Sequence, residues 1–395
     1  MPRPVPDNLA TPQVASTTLR TERPGLMIVG GTINGRSARL LIDSGAPLSV
    51  IGAARTAEFG LTPAGLNPLA GSDTAVDACA VAFEASPLLF GADAVRLGEF
   101  EFADVRFMVV SRMPAELAEL GVDAVVGGSL LAQVDWEITD EGRTLILYPA
   151  HSFTRPDTAM DLLSIDLEIF LLGARLGTLA IGGQVHNGPD VPMLIDTGYS
   201  GALGTTEEVA ALSGLNDPNL ASSVLPITSW SSVCQGRTVL TPSSRVGARE
   251  FDELRVDIFP AAGSSLAGAF GLVGWKLLAA HHTRCSPVEG WIDLSPTPLS
   301  QALLSDTPAD FGFIAIRRDD GLLEVRFVFP GSPAERAGLR EGDVLIAVND
   351  TDVKTQPLYD LVPFLPEEGE VLQLDILRDG SQEFDILVAA EKGQS

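Results

Sequence analysis

Two aspartates, Asp43 and Asp196, occur in closely similar settings 153 residues apart. The first lies in the run LLIDSGA at positions 40–46, the second in MLIDTGY at 193–199. In each, an apolar run ends at the carboxylate, and a hydroxyl residue (Ser44 or Thr197) and a glycine (Gly45 or Gly198) follow. The apolar run buries a strand, and the glycine lets the chain turn without a Cβ clash. Each aspartate therefore stands at a strand end on a tight turn. A single Asp-Ser/Thr-Gly reads as an Asx-type turn. A carboxylate so placed can also do chemistry, because it gives and takes protons.

A second element recurs in step with the first. VVGGSLL at 125–131 contains Val126 and Gly127, and LVGWKLL at 272–278 contains Val273 and Gly274. The two glycines follow their respective aspartates by 84 and 78 residues. Two motifs repeated in the same order at similar offsets identify a tandem duplication. This repetition turns a pair of ordinary turns into a candidate site.

The elements that must position these residues are mostly strands. Apolar runs broken by Gly, Asn and Asp predict strands at 26–29, 40–42, 105–110 and 144–148 in the first copy. The second copy predicts them at 162–170, 178–181, 192–195, 254–259 and 290–294. Asn34-Gly35 and Asp140-Glu141-Gly142 signal hairpin turns. Short helices are expected at 114–120 and 206–212. Residues 1–23 read as a flexible arm, and 149–158 and 296–308 as linkers. A third block runs from 310 to 391.

On these residues the duplicated blocks, 24–150 and 160–297, resemble the retropepsin-like aspartic proteases. The resemblance implies a mainly β fold: two acid-protease β-barrel lobes in tandem, forming a pepsin-like bilobal unit that acts as a monomer. It also implies that Asp43 and Asp196 form a catalytic dyad. Paired carboxylates about 3 Å apart cannot both ionise, so they share a proton. One activates water while the other donates to the developing oxyanion. Ser44 and Thr197 would supply a cross-lobe hydrogen-bond network, and Gly45 and Gly198 would keep the carboxylates coplanar. Val126-Gly127 and Val273-Gly274 would form the strands behind each loop, called the psi loop. The second copy departs from pepsin-like enzymes by carrying Tyr199 after its glycine. Flaps would fall near 71–92 and 226–242, neither of which contains a tyrosine. Trp230 is then either an apolar lid or an ordinary packed tryptophan.

The third block contains PGSPAERAGLREGDVLIAVND at 330–350, which closely resembles PDZ domains and implies an α+β module. Phe311, Gly312 and Phe313 lie where a bacterial-type PDZ domain places the loop that binds a peptide's terminal carboxylate. A helix near 358–365, shortened by Pro363, would form the other wall of the groove. The module either binds a protein tail or serves a structural, interdomain role.

Composition narrows the alternatives. Fifty-two acidic residues against 26 basic ones leave a net charge of −26, which repels phosphate backbones and argues against nucleic-acid binding. No apolar run reaches the length of a transmembrane helix. No secretory leader is visible, so the chain as given reads as cytoplasmic, or as periplasmic or secreted if a leader has been removed. Cys79, Cys234 and Cys285 have no metal-type spacing; Cys234 and Cys285 are either paired or free. His281-His282 with Cys285 lacks a fourth ligand, and no GxSxG accompanies the four histidines. Neither cofactor nor metal is expected. The sequence thus predicts an aspartic endopeptidase acting on polypeptide, with a PDZ domain that recruits substrate or regulates. The competing reading is a non-catalytic peptide-binding protein using the same cleft and groove.

Overall fold

Turn chemistry and alternating burial build the first lobe. Asn34 and Gly35 take φ of 49° and 75°, the twist a two-residue hairpin needs, and join Ile28–Ile33 to Arg36–Asp43. From there the sheet runs through Ala124–Gly127, Ser49–Gly52 and Phe100–Val110 to Ala85–Leu97, which pairs back with Ile28–Ile33. That pairing closes the barrel, and Thr62–Leu66 extends the sheet as an edge strand on Ala85–Leu97. The computed structural model describes residues 16–21, 25–67, 85–167, 176–228, 233–260, 270–305, 309–363, 366–380 and 382–392.

The second lobe repeats this path strand for strand. Leu176–Val185, Asp190–Asp196, Gly271–Gly274, Leu203–Thr206, Arg249–Phe259 and Val233–Val246 follow one another, and the last pairs back with the first. The register is conserved as well. Asp43 lies opposite Gly127 and Asp196 opposite Gly274 in equivalent parallel pairs.

A six-stranded sheet joins the lobes, in the order Thr17–Arg20, Thr144–Tyr148, Asp135–Thr139, His281–Ser286, Trp291–Pro296, Met160–Asp161. Its central seam pairs Ile138 with Thr283 and Trp136 with Cys285. One hydrophobic core runs through both lobes, from Val29 and Phe107 to Ile195 and Leu278. Burial of this apolar surface and the shared ladder hold the two Asp loops in fixed relation.

Some segments differ from the sequence expectation. Thr17–Arg20, placed within a flexible arm, is a strand paired with Thr144–Tyr148; Thr17 and Leu19 are buried while Thr18 and Arg20 face outward. The linker at 296–308 contains the helix Ser300–Ser305, whose Leu304 joins the bilobal core. The PDZ helix expected near 358–365 is the single turn Leu358–Leu361. The expected strand at 162–170 is Leu163–Leu167; Leu162 precedes it, and 168–170 lie outside the described residues. Of the two states left open for Cys285, the structure gives the buried free thiol.

The third block has its own core, centred on Leu323, Val325, Leu345, Leu374 and Val388. Its sheet runs Phe313–Arg317, Leu323–Val328, Val344–Val348, Val371–Arg378, Gln382–Ala389, so among the described residues Phe313–Arg317 is an edge strand. Ser332 caps the helix Pro333–Arg336 by accepting the Glu335 amide, and the Glu335 carboxylate accepts the Gly331 amide at 2.7 Å. The arrangement differs from a capping box in that the Glu335 carboxylate takes the amide before the N-cap, while the Ser332 amide donates to the Phe329 carbonyl.

Candidate active site

The two Asp loops meet at the lobe boundary, where the carboxylates of Asp43 and Asp196 each lie against the glycine of the opposite loop. Asp43 Oδ1 accepts the amides of Gly45 and Ala46 at 2.9 and 3.0 Å. Asp196 Oδ1 accepts those of Gly198 and Tyr199 at the same two distances. Each inner oxygen is thus fixed by its own turn. Both aspartates are only partly covered.

The hydroxyl neighbours lie beneath the pair. Ser44 Oγ donates to the Ile195 carbonyl at 2.6 Å and accepts the Thr197 amide at 3.1 Å. Thr197 Oγ1 donates to the Ile42 carbonyl at 2.8 Å and accepts the Ser44 amide at 2.9 Å. All four bonds cross between lobes, and Ser44 and Thr197 are 0% and 3% exposed. Only a side chain that both donates and accepts fills this position, which explains why serine and threonine serve equally.

Glycine is required here by contact, not by turn conformation. A Cβ on Gly45 would lie 2.4 Å from Asp196 Cγ, and one on Gly198 would lie 2.5 Å from Asp43 Cγ. Each glycine therefore packs on the carboxylate of the opposite lobe. Behind the loops, Gly127 abuts the Leu48 carbonyl, and Gly274 abuts the Gly201 carbonyl. Val126 and Val273 are completely buried next to them. The Gly128 amide donates to the Ala46 carbonyl and the Trp275 amide to the Tyr199 carbonyl, both at 2.7 Å, tying each loop to its supporting strand.

Electrostatics follow from this packing. Burial raises the affinity of Asp43 for a proton, against the opposing effect of its amide donors. Asp196 is held well above the ordinary aspartate range, first by burial and then by the charge of Asp43. The result belongs to the pair, which retains one proton where isolated aspartates would hold none.

Other sequence candidates are more dispersed. Phe311 is buried, Gly312 takes φ +79°, and Phe313 begins the edge strand. The Gly312 amide bonds the Asp310 carboxylate, so this local turn already uses one amide of the loop. His281 bonds the Leu277 carbonyl and stands edge-on to Phe251. Trp230 and most of the first expected flap lie outside the described residues. Among the described residues no group of His, Cys, Asp and Glu is gathered as a metal site, and no helix is long and apolar enough to cross a membrane.

Sequence reasoning missed two features. Glu119, on the helix Ala115–Glu119 of the first lobe, pairs with Arg317 of the third block. Asp257 accepts hydrogen bonds from the hydroxyls of Tyr199 and Thr238. Neither has a local signal. The partners of Glu119 and Arg317 are 198 residues apart, and a lone Asp in a strand otherwise reads as solvent-facing.

Comparison with known proteins agrees with this architecture. Residues 29–130 match the family model described as aspartyl protease, and residues 324–378 match that of the PDZ domain. HhoA of Synechocystis sp., a serine protease by name, is 36% identical over 101 residues, covering 26% of this chain and 25% of that protein. The chain thus spans about a quarter of the length of that curated relative. A retropepsin-like aspartic protease from Rickettsia conorii aligns over 33% of this chain and 89% of its own, at 18% identity and a TM-score of 0.24. The PDZ domain of a carboxy-terminal protease from Vibrio cholerae, solved with a peptide, aligns over 23% of this chain and 100% of its own, at 21% identity and a TM-score of 0.20. The first lobe thus carries an aspartyl-protease domain, the second lobe repeats its strand path, and a PDZ domain follows.

Proposed function

We propose that the protein is an aspartic endopeptidase whose PDZ domain presents or senses polypeptide. The observation that supports this reading is the convergence of Asp43 and Asp196, one from each lobe, each carboxylate lying against the glycine of the opposite loop and each pushed by burial toward its protonated form. A water bound between them loses a proton to the ionised carboxylate as it attacks the scissile carbonyl. The protonated carboxylate then donates to the oxygen that gains charge, and the same pair returns a proton to the leaving amine. The amide donors to each Oδ1 fix the carboxylates before substrate arrives, so little reorganisation is needed during reaction.

A serine mechanism at this site is disfavoured by geometry. The Ser44 hydroxyl is buried and donates to the Ile195 carbonyl, so it has neither access to substrate nor a base. A purely binding role gives no reason to bring two carboxylates together, since like charges at close range cost free energy. In this reading an extended peptide adds to the edge strand Phe313–Arg317 of the PDZ sheet, short of Arg317, which Glu119 of the first lobe holds.

The test is cleavage of a complex peptide library by the full-length protein across about pH 3 to 8, read by mass spectrometry. Internal cuts that vanish in both Asp43→Asn and Asp196→Asn support the proposal. Cuts that persist in either folded variant refute it.

A further inference from the structure

The two lobes share one chain path but differ on the sheet face beneath the Asp loops. In the first lobe that face is apolar, with Leu41, Leu48, Val50, Met108, Val110 and Val125 in one cluster and Ala46 packed against it. Register identifies the equivalent positions in the second lobe. Val50 lies opposite both Met108 and Val125, whereas Gly204 lies opposite both Asp257 and Leu272. Asp257 therefore stands where the first lobe has Met108, and Gly204 where it has Val50. Tyr199, three residues after its aspartate, takes the place of Ala46.

These exchanges are mutually compensating. The Tyr199 ring occupies space left open by glycine: a Cβ on Gly201 would lie 2.1 Å from the Tyr199 hydroxyl, and one on Gly204 would lie 3.3 Å from the ring. Phe259 meets the ring edge-on at 5.5 Å. The tyrosine hydroxyl donates to Asp257 Oδ2 and lies 3.1 Å from the Leu203 carbonyl. Thr238, on the strand Val233–Val246, donates to Asp257 Oδ1. At its other end Tyr199 donates its backbone amide to Asp196 Oδ1 at 3.0 Å and accepts the Trp275 amide at 2.7 Å. Burying a carboxylate in place of a methionine is costly unless it is hydrogen-bonded. Here its two hydroxyl donors link the barrel wall to the residue that holds Asp196.

We infer that Asp257 and Tyr199 are positioning residues for Asp196, clamping the second-lobe loop so that the Tyr199 amide stays on the inner carboxylate oxygen, a constraint the first lobe lacks. The two carboxylates are thereby made inequivalent by the protein before any substrate binds. This rests on the peptidase reading for its catalytic consequence, though not for its effect on Asp196 itself. The charged groups facing Asp257 are Lys276 and Arg255, and the charge of Asp196 reaches Tyr199.

The experiment titrates the pair directly and measures turnover in parallel. Full-length protein labelled with carbon-13 at aspartate Cγ is followed by NMR through a pH titration, with Asp43→Asn assigning the signals. Tyr199→Phe keeps the ring and removes only the hydroxyl; Asp257→Ala removes the acceptor; Asp257→Asn keeps one. Loss of the clamp weakens the amide donor to ionised Asp196, so Tyr199→Phe and Asp257→Ala raise the pair's apparent pKa values. With a peptide substrate, each lowers kcat ~10- to 100-fold while KM changes less than ~3-fold. The double variant Tyr199→Phe/Asp257→Ala is no worse than either single variant, and Asp257→Asn recovers most of the loss. An unchanged titration in Tyr199→Phe and Asp257→Ala overturns the proposal, as do losses that multiply in the double variant. Absence of Asp43-dependent cleavage in the parent protein defeats the peptidase reading instead, and the titration still decides the clamp.

Discussion

Ser44 and Thr197 hold each other across the lobe boundary: each accepts the backbone amide of the other, and each donates to a carbonyl just before the other's aspartate. The exchange is symmetric although the residues differ, because only the hydroxyl participates. It fixes the two Asp loops to each other at their bases. The glycine–carboxylate contacts, Gly45 on Asp196 and Gly198 on Asp43, fix them at the top. The relative position of the carboxylates is therefore determined by local contacts between the loops as well as by the distant inter-lobe sheet.

Ser44→Ala tests this exchange. The variant leaves the buried Thr197 amide without its partner, a loss of about 1–3 kcal/mol for an unsatisfied buried group. Ser44→Thr keeps donor and acceptor, so it retains stability within about 1 kcal/mol. Urea unfolding of the two variants beside the parent measures the difference. Equal stability of Ser44→Ala and the parent would show that the exchange contributes nothing.

The shared proton predicts a pH dependence with a definite sign. Both carboxylates are raised above the ordinary aspartate value of 3.8, so the native pair keeps a proton that the unfolded chain releases. Above 3.8 the native state binds more protons than the unfolded state, and the pair's contribution to stability falls as pH rises toward the native value. Asp196→Asn removes that burden. Its stability relative to the parent should increase between acid and neutral pH, while below 3.8 the two proteins converge. Chemical denaturation at a series of pH values reads the difference, and a gap that does not change with pH contradicts the shared proton.

Much of the fold is legible in the sequence because the duplication is local. LLIDSGA and MLIDTGY each encode a strand, a turn and a carboxylate within seven residues, and each downstream Val-Gly supplies the supporting strand. The PDZ module is marked in the same way by its turn-helix-turn run. What sequence reading missed depends on distant partners. Thr17–Arg20 has the alternation of a strand but no neighbour that announces one, since its partner Thr144–Tyr148 is more than a hundred residues away. The helix Ser300–Ser305 lies in a Ser/Pro-rich stretch and is held by the Ser300 hydroxyl on the Ala280 carbonyl. Tyr199 is visible as a departure from pattern, but its meaning needs Asp257, which only the barrel brings beneath it.

The supporting glycines predict a steric effect distinct from any loss of chemistry. A Cβ at Gly127 would lie 2.5 Å from the Leu48 carbonyl and 2.7 Å from that of Ala46, and these backbone atoms cannot rotate aside. Gly127→Ala should therefore destabilise the protein by about 1–3 kcal/mol or more through overpacking and displace the Asp43 loop. Gly30→Ala is the control, since a Cβ there meets nothing within 4 Å. Thermal unfolding of the two variants separates them, and matching midpoints would remove the case for close packing behind the loop.

Glu119 predicts that the PDZ domain is docked on the first lobe through its edge strand and its short helix. Its carboxylate takes Arg317 Nη2 at 3.1 Å from the edge strand, and the Leu358 amide at 2.7 Å from the start of the helix Leu358–Leu361. Arg317 also donates to the carbonyls of Gly321, Val353 and Gln356. Tyr359 packs against the apolar cluster that lines the first-lobe sheet face. The pair is only slightly exposed, with 10% of the Glu119 side chain and 22% of the Arg317 side chain accessible. Replacing Glu119 by Ala leaves a guanidinium partly buried without its carboxylate, a loss of about 2 kcal/mol after allowance for that exposure. The Leu358 amide loses its acceptor at the same time. Hydrogen exchange at Leu358 should then accelerate by about an order of magnitude or more, while amides in the PDZ core strand Val371–Arg378 exchange at the parent rate. Restoring only the hydrogen-bonding shape with Glu119→Gln should recover part of the protection. If Leu358 exchanges equally in all three proteins, Glu119 does not hold the helix Leu358–Leu361 to the lobe.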